Sequence, residues 1–321
     1  MTSGADTTSD ANASSSPISI NGVVIEPTFA EAFDMKATAI VITAMDRHWL
    51  DAAVASMTGF GTSVIACGIE TAVDRFLPPD QTPDGRVGAR VLAMATSGGV
   101  LSKKIATRIG QCILTCPTAA AYADIDPVTT PPDKRVAMGK TVRFFGDGHQ
   151  ISKRIGNRQY WRIPVMEGEF LCEHSAGRVD AIGGGNFLLI GQTTAATCHA
   201  ARVAVEAIGD VADVITPFPG GVARSGSKVG SKYPTMFAST NDAYCPTLRG
   251  RGTSQLADDE HCVLEIVIDG LSFDAIHRAT RIGITAACQT VGYDDGLRRI
   301  SAGNYGGKLG RHHFHLHQVM S

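Results

Sequence analysis

The feature that most constrains this chain is that it contains itself twice. The pentapeptide ATRIG occurs at 106–110 and again at 279–283. At the same offset and without a gap, the apolar run RVLAMA (90–95) lies over VLEIVI (263–268). Upstream, AIVITA (39–44) and the helix-like segment after it match NFLLIG (186–191) and the segment that follows. NGVVIEPT (21–28) matches EGEFLCEH (167–174) at a smaller offset, so the second copy carries an insertion. A duplicated unit must build one supersecondary pattern twice.

Each copy reads strand, helix, strand, then strand, helix, strand. In the first copy the expected strands are 39–44, TSVIAC (62–67), 90–95 and a short run at CILTC (112–116), with helices over 47–57 and 99–110. In the second they are 186–191, DVITPF (213–218), CVLEIVI (262–268) and a return strand, with helices over 194–208 and 273–288. No Rossmann glycine fingerprint accompanies these crossovers. The pattern predicts an α+β protein of two related ferredoxin-like lobes arising from internal duplication, each sheet covered on one face by two helices. FFGDGHQ and YWRIP (144–164) read as a hairpin-rich connector with a turn at Asp147-Gly148. The expected division is a first lobe with its connecting hairpin at 18–162 and a second lobe at 163–321. Residues 1–17 lack the basic and apolar regions of a secretory signal and read as a flexible tail.

Composition removes several classes of function. Lys and Arg number 29 against 31 Asp and Glu, a net charge of −2, so no chain-wide basic footprint for nucleic acid is present. No run approaches the roughly 18 apolar residues that span a bilayer. The eight cysteines form no CxxC pair, which points to a reducing, cytoplasmic setting.

The most informative single residue is Glu265. Every neighbour in CVLEIVI is apolar, and alternation places Val263, Glu265 and Val267 on one face. At the ATRIG offset its counterpart in the first copy is Leu92. Either the carboxylate is solvated or paired with an arginine, or it is a desolvated acid that keeps its proton near neutral pH. Residues 218–247 form the densest cluster of polar residues and glycines. There Gly220, Gly221, Ser227, Lys228, Lys232, Asn241 and Tyr244 are candidate ligand contacts, and a loop of this length points to binding. TGFGTSVI (58–65) offers Phe60 and Gly61, and SAGNYGGKLG (301–310) offers Lys308 to an anion. The histidines of HHFHLH (312–317) alternate at about 6–7 Å along a strand, too far apart for one ion, so no metal site is expected.

INGVVIEPTFAEAF, TGFGTSVI, TPDGR, RIGQC, CPTA, FFGDG, MEGEF, GGNF, FPGG, SKVGSK, ASTNDAYCPT, EIVIDGL, AACQ and SAGNYGGKLG run through the chain in that order. Together they resemble the formylmethanofuran:tetrahydromethanopterin formyltransferase family from about Ile18 to His317, and ASTNDAYCPT is the most specific of them. The segment around 249–259, the residues before Pro17 and the neutral composition differ from the archaeal members and suggest a bacterial one. The resemblance implies two related α/β lobes and a homotetramer. It also implies formyl transfer between a methanofuran-type primary amine and N5 of a tetrahydromethanopterin-type pterin, both cosubstrates. No metal, bound cofactor or covalent enzyme intermediate is implied. The family's buried catalytic glutamate falls on Glu265. Lys228 and Lys232, with Ser227, Asn241 and Tyr244 beside them, are then candidates for the acidic tails of carrier and pterin. Other subunits of a formyltransferase/hydrolase complex are implied as possible partners. Two other classes compete: a non-catalytic small-ligand module of duplicated lobes, and a metal-dependent formyl hydrolase.

Overall fold

The computed structural model describes residues 18–321; the tail expected at 1–17 lies outside them. The first half runs β1 (Phe29–Thr43), α1 (Arg47–Thr58), β2 (Glu70–Leu77), β3 (Gly88–Ala95), α2 (Gly98–Arg108) and β4 (Ala120–Ala123). The second runs β5 (Val179–Gly191), α3 (Thr194–Ile208), β6 (Val214–Ile215), β7 (Cys262–Gly270), α4 (Phe273–Thr290) and β8 (Leu297–Ser301). Antiparallel pairing gives the spatial order β2–β3–β1–β4 in one half and β6–β7–β5–β8 in the other. The same order twice confirms the duplication, and in each half the two helices lie on one sheet face. There Leu50, Met57, Leu101 and Ile105 fill one core, and Ala200, Ala204, Ile276 and Ile284 fill the other. β1 pairs with β5 from Val179↔Ala37 to Gly183↔Phe33, which fuses the two sheets.

Four helices start on side-chain caps, and the caps date the repeat more accurately than ATRIG does. Asp46 and Thr193 cap the first helix of each half, and Ser97 and Ser272 cap the second, each accepting the N–H three residues on. Superposing Asp46 on Thr193 superposes Val41 on Leu188. Val41 pairs with Arg90 and Leu188 with Glu265. Superposing Ser97 on Ser272 also puts Arg90 on Glu265. The counterpart of Glu265 is therefore Arg90, two residues from Leu92. Leu92 lies on the same face, fully buried in an apolar cluster with Met35, Ala39 and Met94. ATRIG sits two residues out of step with the caps of the very helices that carry it, so the pentapeptide match does not mark equivalent positions.

Two expected strands are otherwise. Residues 63–68 form a helical turn, in which Cys67 and Gly68 donate to Ser63 and Val64, and the strand follows at β2. CILTC continues α2 as a π-helical turn, Ile109–Ile113, and the fourth strand is β4.

Each half also lends strands to the other. Val23–Ile25, at the end of an N-terminal hairpin, runs parallel to β8. Its equivalent Gly168–Glu173 runs parallel to β4. His312–His315 pairs with the start of β1, and Arg135–Ala137 pairs with Ser175–Gly177. Strand pairing crosses the boundary expected between 18–162 and 163–321, because Arg158–Val165 and Gly168–Glu173 pair with each other and extend the first sheet.

Candidate active site

Glu265 stands mid-way along β7 on the face away from the helices. Its backbone is held on both sides, by Leu188 of β5 and by Ala223, with which it exchanges N–H···O bonds of 2.8 and 2.9 Å. FPGGVAR thus serves as a short edge segment. Two glycines from different loops flank the carboxyl: a Cβ on Gly226 would lie 3.3 Å from Oε2, and one on Gly303 would lie 3.6 Å from Oε1. Asn186 of β5 fixes the second of these loops, donating to the Gly303 carbonyl at 3.1 Å and accepting its N–H at 2.6 Å. Burial alone pushes the Glu265 carboxyl up to about 7, and no arginine or lysine among the described residues pairs with it. An acid at this position holds its proton at neutral pH in a large share of molecules.

Two cavities meet at this carboxyl. One, of about 510 Å³, has polar walls that include Thr28, Lys228, Asn241, Gln255 and Asn304. The other, of about 520 Å³, has apolar walls that include Phe33, Met35, Ile65, Phe218 and Phe237, drawn from both lobes. Glu265, Ser227, Lys228 and Tyr305 line both. Burial and the nearby Glu265 raise the Tyr305 hydroxyl pKa, against an opposing contribution from Ser227.

The loop carrying Tyr305 is pinned by Glu31. Its carboxylate accepts four backbone N–H groups, from Tyr305, Gly307, Leu309 and Gly310, at 2.6–2.8 Å. Burial opposes ionisation there, yet the four donors hold the pKa below the usual carboxylate range. In the wall of the apolar cavity, Glu70 of β2 meets Asp269 of β7 across the lobes. Glu70 accepts the Val64 N–H at 3.0 Å and Asp269 accepts the Gly184 N–H at 2.9 Å. Burial first, and then the facing carboxyl, push Asp269 well up; burial raises Glu70 too. Asp269 Oδ2 has no hydrogen-bond donor when both acids are ionised. A proton shared between the two supplies it.

The family of the chain follows from its likeness to known proteins. Residues 18–165 match the family model described as formylmethanofuran-tetrahydromethanopterin formyltransferase, and residues 168–319 match the model of that family's proximal lobe. The chain belongs to this formyltransferase family. The formylmethanofuran–tetrahydromethanopterin formyltransferase of Rhodopirellula baltica is 55% identical, covering 97% of this chain and 96% of its own. That of Methanopyrus kandleri is 45% identical, covering 94% and 99%. Among solved structures, the formyltransferase/hydrolase complex from Methylorubrum extorquens, in complex with methylofuran, contains a chain 48% identical with a TM-score of 0.90, covering 95% and 99%. The Methanosarcina barkeri formyltransferase gives a TM-score of 0.87 at 40% identity, covering 94% and 100%. The protein is an N-formyltransferase of one-carbon metabolism, with methanofuran and tetrahydromethanopterin forms as substrates.

Within this formyltransferase the expected site residues divide. Ser227, Lys228, Asn241 and Tyr244 line the polar cavity with Glu265. Lys228 Nζ is 2.7 Å from Asp242, and the Tyr244 hydroxyl is 3.4 Å from Ser301 Oγ. Lys232 is exposed and lines neither cavity. Gly220 and Gly221 turn the chain at positive φ and line neither cavity; a Cβ on Gly221 would strike Val205 of α3 at 2.6 Å, whereas one on Gly220 would meet open space. Phe60 and Gly61 also stand apart from the cavities. Their loop closes α1, with Arg108 donating to the Gly59 and Phe60 carbonyls, while Ser63, Val64 and Ile65 further on reach the apolar cavity. Lys308 is not a wall residue of either cavity. His313 and His317 each bond a backbone carbonyl, and no group of three metal-ligating side chains stands together among the described residues. Asn186, Gly226, Gly303, Tyr305 and Glu31 were not singled out from sequence. GGNF and SAGNYGGKLG carried the signal, but only the fold brings them to Glu265.

Proposed function

We propose that Glu265 is the general acid of formyl transfer and that the two cosubstrates reach it from the two cavities. One observation carries this: an unpaired carboxyl whose pKa is raised to about 7 stands where both cavities meet. N5 of the pterin attacks the formyl carbon directly, forming the N5–C bond and leaving an oxyanion. The Glu265 O–H donates to that oxygen, an effect worth about 3–4 kcal/mol for one oxyanion donor. The C–N bond to the carrier then breaks, the departing amine takes the proton, and the carboxylate recovers one from N5. Proton transfer of this kind contributes on the order of 10²–10⁴ in rate. The exchange of one amide for another is redox-neutral, so the step needs no redox cofactor.

The apolar cavity, with Phe33, Phe218 and Phe237, suits the pterin ring. The polar cavity suits the carrier, with Lys228 toward its acidic tail. The Methylorubrum complex that contains the relative was solved with methylofuran, which supports a carrier of this class. The homotetramer rests on the family resemblance, and a cytoplasmic location is supported by eight free thiols, Cys67 to Cys288. No helix among the described residues is long and apolar enough to cross a membrane. The Methylorubrum relative is itself one component of a formyltransferase/hydrolase complex, which supports assembly with hydrolase subunits here.

The test is a coupled assay with formyl-pterin and a methanofuran-type amine, run in both directions across pH. Turnover that needs the acid form should fall as pH rises through about 7. A flat profile through that range removes Glu265 as the donor. Formate release without transfer, lost on metal chelation, would instead favour a hydrolase.

A further inference from the structure

The duplication places a second cavity where the first lobe repeats the position of the polar active-site cavity. Ile25 and Cys172 are equivalent at the spacing of the helix caps, and each runs beside the fourth strand of its lobe, at Ile300 and Ala121. Glu26, Pro27 and Thr28 line the active-site cavity. Their counterparts Glu173, His174 and Ser175 line a separate cavity of about 320 Å³, closed by the turn at Pro127 and Val128. Ser301–Tyr305 hold the equivalent place beyond β8. The volume is at the lower end of small-ligand sites.

The chemistry of this cavity differs from that of its twin. Arg135, Arg154 and Arg158 stand in its wall. The Arg158 Nε lies 3.3 Å from Glu173 and 3.9 Å from Asp126, so its charge is matched. Arg135 gives its Nε–H to the Thr130 carbonyl at 2.9 Å. Neither Arg135 nor Arg154 has a carboxylate partner among the described residues, which leaves two uncompensated guanidinium charges. His174 adds a neutral donor. Its Nδ1 is 2.9 Å from the Trp161 indole N–H and accepts from it, so the ring proton sits on Nε2. Burial and then Lys140, Arg143 and Arg135 keep that ring below its usual pKa. Glu173 is 1% exposed and already engaged: its Oε2 accepts the Ala123 N–H at 2.9 Å and its Oε1 lies 3.3 Å from the Arg158 Nε. Two positive charges and an imidazole N–H define the complement: a doubly charged oxyanion with its oxygens on one compact group.

We infer that this pocket of the first lobe is a second ligand site, distinct from the active site, that binds a phosphate-type dianion between Arg135 and Arg154. Hydrogen phosphate and a phosphate monoester dianion present the same charge and the same terminal oxygens. A dicarboxylate of equal charge spreads it over two separated groups and binds less tightly.

Titration calorimetry on the full chain tests this, using inorganic phosphate, a phosphate monoester and succinate at constant ionic strength. Phosphate should bind, with succinate several-fold weaker. Arg135→Ala and Arg154→Ala should each weaken phosphate by roughly tenfold, the loss of one charge-assisted contact. Both side chains are exposed, and an unchanged melting point without phosphate confirms that the variants fold. Lys228→Met, in the active-site cavity, should leave phosphate affinity as it is. Three results would overturn the assignment: no phosphate binding, wild-type affinity in both arginine variants, or loss of binding in Lys228→Met. Succinate binding as tightly as phosphate would overturn the choice of a phosphate-type ligand. A monoester that fails where phosphate binds would restrict the site to the inorganic ion.

Discussion

β3 and β7 occupy the same place in their two lobes, and each presents one ionisable side chain at the same position. Arg90 of β3 is surrounded by Asp74, Asp124 and Asp213, each at 2.8 Å, and Asp213 comes from the other lobe. Burial works against its charge, but the carboxylates raise its pKa. Glu265 of β7 meets glycines and open cavity instead, and burial acts on it unopposed. A buried charge that is matched becomes part of the framework; one left unmatched changes its protonation and becomes reactive. Duplication supplied two copies of one position, and their surroundings gave them different work.

That contrast breaks first at Glu265. Glu265→Gln keeps the shape and one donor but has no proton to transfer, so kcat should fall by roughly 10²–10⁴-fold with KM almost unchanged. Steady-state kinetics at neutral pH read this directly, and wild-type turnover would end the assignment. Its unfolding midpoint should not drop.

The mirror experiment is Arg90→Met. Removing the cation leaves three carboxylates facing one another across the lobes, which should cost about 3–5 kcal/mol of stability. Denaturant unfolding measures it, and the folded fraction should still turn over. If Arg90→Met is as stable as wild type, the cluster is not part of the framework.

Asp269→Asn sharpens the comparison, since Glu70 and Asp269 are a buried acid pair with no cation. Their folded-state pKa values are raised, so the folded chain binds more protons than the unfolded one between the unfolded and folded values. Their contribution to stability therefore falls as pH rises through that window and levels off above it. Asn can bond both Gly184 and Glu70 without a shared proton. The variant should lose part of this pH dependence and gain about 1 kcal/mol at neutral pH. Melting curves across the acid to mildly alkaline range decide, and an unchanged slope would show that the pair does not titrate together.

The smallest effect belongs to the exposed lysines. Lys228→Met should raise KM for the acidic carrier a few-fold, with kcat held, and reduce the salt dependence of binding. Lys232→Met should do neither. Equal effects from both would show that the loop acts by net charge alone.

How far these strands can be read from sequence follows from what each residue needs. CVLEIVI declares its strand because one acid interrupts an apolar run. The true β2, ETAVDRFL, reads poorly as a strand because Glu70, Asp74 and Arg75 look solvated until Asp269 and Arg90 are brought to them. β4 is the alanine-rich AAYA, with weak intrinsic strand preference. CILTC is apolar enough for a strand but helical because α2 continues through it. Lys228 and Asn241 are legible from motif density, whereas Lys232 shares the motif and not the wall. Glu31 is silent in sequence, since its partners are backbone N–H groups more than 270 positions away.

The traded strands have a consequence for how the chain is made. Val24 lies against Arg299, so a strand made early on the ribosome finds its seat only when synthesis is nearly finished. Until then β4 can be extended by Gly168–Glu173, but the second sheet has an open edge along β5, where β8 will pair. Such long-range closure is slow, and an unpaired edge invites association with other chains. Cutting the gene between the halves would leave two fragments, each holding strands the other needs. Mixed together, they have reason to find one another; alone, neither has a complete sheet.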